Sequence, residues 1–138
     1  MIAIKVATAG PLPSNSYNNS TPTITMSANG TVVVDGHTLA VNELVLVKDE
    51  SDDTHNGIYY VVHAGDGSNP CVLNGYYQEQ YSRIANTSNS NPYYPLIVEA
   101  GNDNANSVWV TDVFGAVTFG TTPITFSQFS KQESAWRS

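Results

Sequence analysis

Residues Val45–Val62 read VLVKDESDDTHNGIYYVV. The two ends are runs of Val, Leu, Ile and Tyr, the composition of half-buried strands. Between them lie Asp49, Glu50, Asp52, Asp53 and His55, then Asn56-Gly57, a pair that suits a turn because each residue tolerates positive φ. The stretch predicts a hairpin of Glu43–Lys48 with Ile58–His63, and alternation puts Ile58, Tyr60 and Val62 on one face. The acidic segment is either a cation site or a wet hairpin tip. Asp49, Ser51 and Asp53 alternate as in a calcium-binding EF-hand loop, but Thr54 stands where that loop needs Gly, and no Glu closes it. A solvent-facing tip is the expectation, with His55 a surface hydrogen-bonding residue beside it.

Outward from this hairpin the same texture continues. Short runs rich in Val, Ile, Thr, Tyr and Phe alternate with Gly, Pro and Asn turns, and helical periodicity is nearly absent. Strands are predicted at Ile2–Ala7, Thr23–Ser27, Thr31–Val34, Leu96–Glu99, Ser107–Thr111, Val117–Phe119 and Ile124–Phe129, besides the two above. Asn29-Gly30 predicts a tight hairpin joining Thr23–Ser27 to Thr31–Val34, with both turn residues at positive φ. Asp35-Gly36 is read as a further turn. The expected fold class is all-β, a small antiparallel β-sandwich or distorted barrel with one long loop. Residues 1–129 make a single domain, with the loop at about 65–95 and a C-terminal tail at 130–138. Trp109, Phe119, Phe126 and Phe129 are expected to fill the core between sheets.

The segment from Gly65 to Asn91 has the weakest pattern, read as one short strand plus the long loop. Long loops in compact domains commonly bind something. Tyr76, Tyr77, Tyr81, Tyr93 and Tyr94 lie in or beside it. Tyrosine suits a wet interface, its ring apolar and its hydroxyl not. With Trp136 on the tail they are the candidate interaction surface. The doublets Tyr59-Tyr60, Tyr76-Tyr77 and Tyr93-Tyr94 share no wider context and are not read as a repeat.

Composition narrows the function classes. The 138 residues are 41% hydrophobic but only 12% charged, so Asn, Ser and Thr supply the polarity. Few charges need desolvating on such a surface, which suits packing against other copies. A net charge of −7, from 12 acidic and 5 basic residues, gives no basic stripe for nucleic acid or an anionic membrane. The single cysteine, Cys71, excludes an intrachain disulfide and a Cys-based zinc site. The start, MIAIKVATAGPLP, has Lys5 within its apolar part, unlike a signal peptide, and no run is long enough to span a membrane.

Catalytic and metal constellations are not visible. His37, His55 and His63 lack metal-motif spacing, and no G-x-S-x-G elbow frames a nucleophile. Glu43, Glu79 and Glu99 exist as carboxylates, but a small β module offers little scaffold for a glycosidase cleft. No catalytic residue, metal or cofactor is expected, and the chain is read as not an enzyme.

Several pieces in order resemble a β module common in tailed-phage virion proteins and prophage tail-fibre genes. They are Val6-Ala7-Thr8; Val34-Asp35-Gly36 with Leu39; Val45-Leu46-Val47-Lys48-Asp49; and Asn56-Gly57-Ile58-Tyr59 with Val61. Further on come Val98-Glu99-Ala100-Gly101 with Asn104-Ala105 and Trp109, then Phe119-Gly120-Thr121-Thr122-Pro123-Ile124-Thr125-Phe126 with Gln128-Phe129. The resemblance spans nearly the whole chain and departs from the module at Leu44, where Arg is usual, and in the longer segment Cys71–Asn91. Arg83 is a loose match for that Arg.

The resemblance implies a non-enzymatic virion structural protein, assembled in the host cytoplasm. Two roles follow from it: a capsid decoration or cement protein stabilising contacts between capsid subunits, or a tail-fibre or spike module that binds host surface glycans. Its partners would be capsid or tail subunits, and virion symmetry suggests a homotrimer. With no shaft, coiled coil or baseplate segment visible, decoration is the expectation if the chain is the whole gene product.

Overall fold

The computed structural model describes residues 2–76, 95–111 and 120–131. Twelve strands lie in these residues: β1 (Ile2–Ile4), β2 (Val6–Ala7), β3 (Asn15–Asn18), β4 (Thr23–Asn29), β5 (Val33–Val34), β6 (His37–Thr38), β7 (Leu44–Val47), β8 (Gly57–His63), β9 (Pro70–Gly75), β10 (Leu96–Val98), β11 (Ser107–Thr111) and β12 (Phe126–Lys131). A 3-10 turn, Asp53–His55, is the one helical piece among them. One sheet runs β2-β7-β8-β9-β4-β3, a second runs β1-β10-β11-β12, and β5-β6 is a separate ribbon. The fold is an all-β sandwich, and no described sheet closes into a barrel.

The predicted β7–β8 hairpin forms, with Leu44 opposite Tyr60 and Leu46 opposite Ile58. Its alternation explains why the six-stranded sheet has a core on each face. Leu46 and Ile58 point toward the four-stranded sheet and meet Ile4, Ala7, Leu96 and Val98. Val45, Val47, Tyr59 and Val61 point the other way, where Leu12, Val32, Val34 and Leu39 of the ribbon and loops cover them.

The predicted first strand is two strands. Ile2–Ile4 pairs parallel with β10, and Val6–Ala7 pairs parallel with β7, so the sheets are mixed rather than purely antiparallel. Lys5 sits at the crossing: its N–H donates to the Leu44 carbonyl at 2.9 Å, and its carbonyl accepts from the Ala100 N–H at 2.9 Å. One residue thus ties both sheets. Parallel neighbours need long connections, which residues 8–43 and 5–95 supply.

The tight reversal falls one turn later than predicted. Gly30 takes φ +116, but Asn29 is not at positive φ, and β4 continues between β3 and β9 instead of folding onto β5. The Gly30 N–H is bonded to the Asn69 carbonyl, which commits that turn to the end of β9. Asp35 and Gly36, at φ 50 and 83, make the actual hairpin between β5 and β6.

The long loop does not begin at residue 65. Pro70–Gly75 is an interior strand, with Cys71 and Leu73 fully buried. Residues 77–94 and the predicted strand Val117–Phe119 lie outside the described residues. The aromatic core is also corrected: Phe129 is 70% exposed. Trp109 and Phe126 are partly buried against the inter-sheet core, while aliphatic side chains fill both interiors.

Candidate functional site

The polar residues of the quoted motifs converge into a clamp. The Thr8 hydroxyl donates to Asp49 Oδ2 at 2.7 Å and accepts the Lys48 N–H at 3.0 Å. The Asn104 side-chain amide donates to the carbonyls of Thr8 (3.1 Å) and Ala7 (3.4 Å). The Asp35 carboxylate accepts the backbone N–H groups of Asp103 and Asn104. Space there is tight, since a Cβ on Gly36 would lie 2.2 Å from Asn102 Nδ2. Asn56 is buried and satisfied on both sides: Oδ1 accepts the Glu50 N–H, and Nδ2 donates to the Ile124 carbonyl, each at 3.0 Å. These bonds hold loops that separation along the chain would leave free, so this clamp has a structural role.

The acidic segment is therefore not a uniformly solvated tip. Asp49 is partly buried, bonded to Thr8 and paired with Lys48 Nζ at 3.0 Å. Lys48 Nζ also lies 4.5 Å from the Trp109 ring centroid, a cation–π contact that bridges the sheets. Glu50 Oε2 accepts the Leu12 N–H at 2.7 Å. Only Asp52 and Asp53 are exposed. The hydroxyl and then the backbone N–H of Thr54 hold the Asp52 carboxyl below the ordinary carboxylate range. The His55 ring stacks on Tyr17 with centroids 4.1 Å apart, while burial pushes the Tyr17 phenol up. Among the described residues, no group of three or more His, Cys, Asp or Glu is placed to hold a metal ion.

A second feature lies on the six-stranded sheet. The registers align Asn18, Thr23, Asn74, Tyr60 and Leu44 in one row across five strands. Strand spacing makes that row about 19 Å long. Its members are linked: the Thr23 hydroxyl donates to Asn74 Oδ1 at 3.0 Å, and Asn74 Nδ2 donates to the Tyr60 hydroxyl at 3.4 Å. The adjacent row on this face is Ser16, Thr25 and Val72. No residue of either row is charged. On the opposite face of the same strands, Tyr17, Ile24, Leu73 and Val61 pack into the core. At the Tyr60 end lies a groove of about 410 Å³, lined among the described residues by Asn42, Leu44, Tyr60 and Tyr76.

Of the tyrosines nominated from sequence, Tyr76 is in this groove, partly buried, its N–H bonded to the Ile58 carbonyl at 2.8 Å. Tyr77, Tyr81, Tyr93, Tyr94 and Trp136 lie outside the described residues. Sequence reading missed Tyr60, Asn74 and Thr23 as neighbours. Alternation marked the face of Tyr60, but only the register between distant strands brings the row together.

Compared with known proteins, the chain matches no family model, no curated protein and no solved structure.

Proposed function

We propose that this chain is a non-enzymatic structural protein of a tailed-phage virion, a capsid decoration or cement protein that stabilises contacts between capsid subunits. One observation carries the reading: the polar residues shared with the virion module, Thr8, Asp35, Asp49, Asn56 and Asn104, make the hydrogen bonds that fasten the loops to the sheets. They act as a signature of the scaffold and not as a reaction centre. The variable part of such a module is then its surface. A surface with few charges suits docking among other subunits, since little solvation is lost.

In this role the chain assembles in the host cytoplasm, resides in the virion, and works as a homotrimer against capsid subunits. Purified protein added to capsids lacking it would co-sediment with them and raise their dissociation temperature. Failure to co-sediment with intact capsids would overturn the decoration role. A tail-fibre or spike role is the second reading, and the Tyr60–Tyr76 groove favours it because such modules contact host glycans. Sustained hydrolysis of host polysaccharide would overturn both.

A further inference from the structure

We infer that the groove between Tyr60 and Tyr76 binds an uncharged saccharide, with the Asn74–Thr23 row continuing the site across the sheet. The inference rests on the groove alone and holds wherever in a particle the chain is placed.

Three properties define the occupant. The first is size: about 410 Å³ lies within the range of small-ligand sites, about 300–1,000 Å³. Four lining residues fall far short of the roughly 800 Å² that each partner covers in a stable protein interface. The second is charge. Asn42, Leu44, Tyr60 and Tyr76 carry none at neutral pH, nor do Asn74 and Thr23 beyond them. The neighbouring Glu43 carboxylate is engaged elsewhere, with His37 Nε2 and the Ala40 N–H, each at 2.8 Å. A phosphate, carboxylate or ammonium group entering the groove would meet no opposite charge to offset its desolvation.

The third property is the chemistry of the lining. Two phenol rings present apolar faces with hydroxyl edges, and Asn42 adds an amide that can both donate and accept. That mixture matches a sugar ring, whose C–H faces are apolar and whose rim is hydroxyl. An apolar ligand would find one aliphatic partner, Leu44. Beyond the groove, the bonds Thr23–Asn74 and Asn74–Tyr60 already hold the side chains in place. Prefixed donors and acceptors lower the ordering cost of binding, and they lie where a second or third sugar would extend.

The test is titration calorimetry with neutral hexose and N-acetylhexosamine oligomers of increasing length, beside sialylated and sulfated oligomers as controls. At least one neutral series binds, more tightly with length, and its affinity is the same at low and high salt because no charge is involved. Tyr76→Ala and Tyr60→Phe each weaken binding about tenfold, with the thermal midpoint showing that each variant is folded. Tyr60→Phe keeps the ring and removes only the hydroxyl, so it reports on the site even if Tyr76→Ala fails to fold. Four results overturn the inference: no neutral oligomer binds the folded protein, only the charged oligomers bind, binding is unchanged in Tyr60→Phe, or Tyr76→Ala abolishes a self-association that the wild type shows, which would make the occupant a second copy.

Discussion

The Asp35 carboxylate accepts the backbone N–H of Asn104 at 2.9 Å, across 69 residues of chain. Asp35 occupies the tight β5–β6 turn, and Asn104 in turn reaches Ala7 and Thr8 beside β2. Three segments that are distant in sequence are thereby held at one corner of the sandwich.

Removing that acceptor has a defined cost. Asp35→Ala leaves the N–H groups of Asp103 and Asn104 without their carboxylate and puts a poorly suited residue at φ 50. The expected loss is about 2–4 kcal/mol in urea unfolding. Asp35→Asn tolerates positive φ and keeps one acceptor oxygen, so its loss is less than half as large.

Asn56→Asp gives a pH test. The new carboxylate would keep the Glu50 N–H but face the Ile124 carbonyl without a proton to offer, in a buried site. Its folded pKa is therefore raised. A raised pKa means that stability is retained below the unfolded value, about 4, and lost as pH rises through the folded value. The variant is expected to lie closest to wild type under acid conditions and furthest from it at neutral pH, measured as the difference in thermal midpoint.

Asp52 works in the opposite direction. The Thr54 hydroxyl and N–H depress its folded pKa, so its contribution is present above the ordinary carboxylate value and lost as pH falls through the lowered one. Thr54→Val removes the hydroxyl donor, and carboxyl NMR titration then finds the Asp52 midpoint moved up toward the ordinary value. Asp66, held low chiefly by the Ser68 N–H, serves as the internal control and does not move.

Cys71 is fully buried on interior strand β9, and burial pushes its thiol pKa up. Thiol reagents are expected to label it only when the sheet opens, with a rate that follows denaturant-induced unfolding. Cys71→Ser places a hydroxyl among Ile24, Val61 and Leu73 and costs about 1–3 kcal/mol. Cys71→Ala costs less, since no polar group is left to satisfy.

The part of the fold legible in sequence was the part fixed by neighbours. Val45–Val47 and Ile58–Val61 state a hairpin because both arms are β-favouring and Asn56-Gly57 lies between them. Asp35-Gly36 and Asn29-Gly30 look alike as turn signals, and only tertiary contacts choose between them: Gly30 is bound to Asn69, whereas Asp35 is bound to Asp103 and Asn104. The inward roles of Asp49 and Glu50 were hidden because their partners, Thr8 and Leu12, are 41 and 38 residues away. β3, reading NSYN, carries one aromatic and no aliphatic residue and gives almost no strand signal, yet Tyr17 packs against the core. The row from Asn18 to Leu44 depends on four registers at once, and no local pattern encodes those.

The central claim is the place of the chain in a particle, and cryo-electron microscopy of virions from the genome that encodes it tests that claim most directly. The account predicts density for the sandwich repeated over the capsid lattice at the junctions between subunits. Density confined to the tail tip, or particles that contain no copy of the chain, would contradict it.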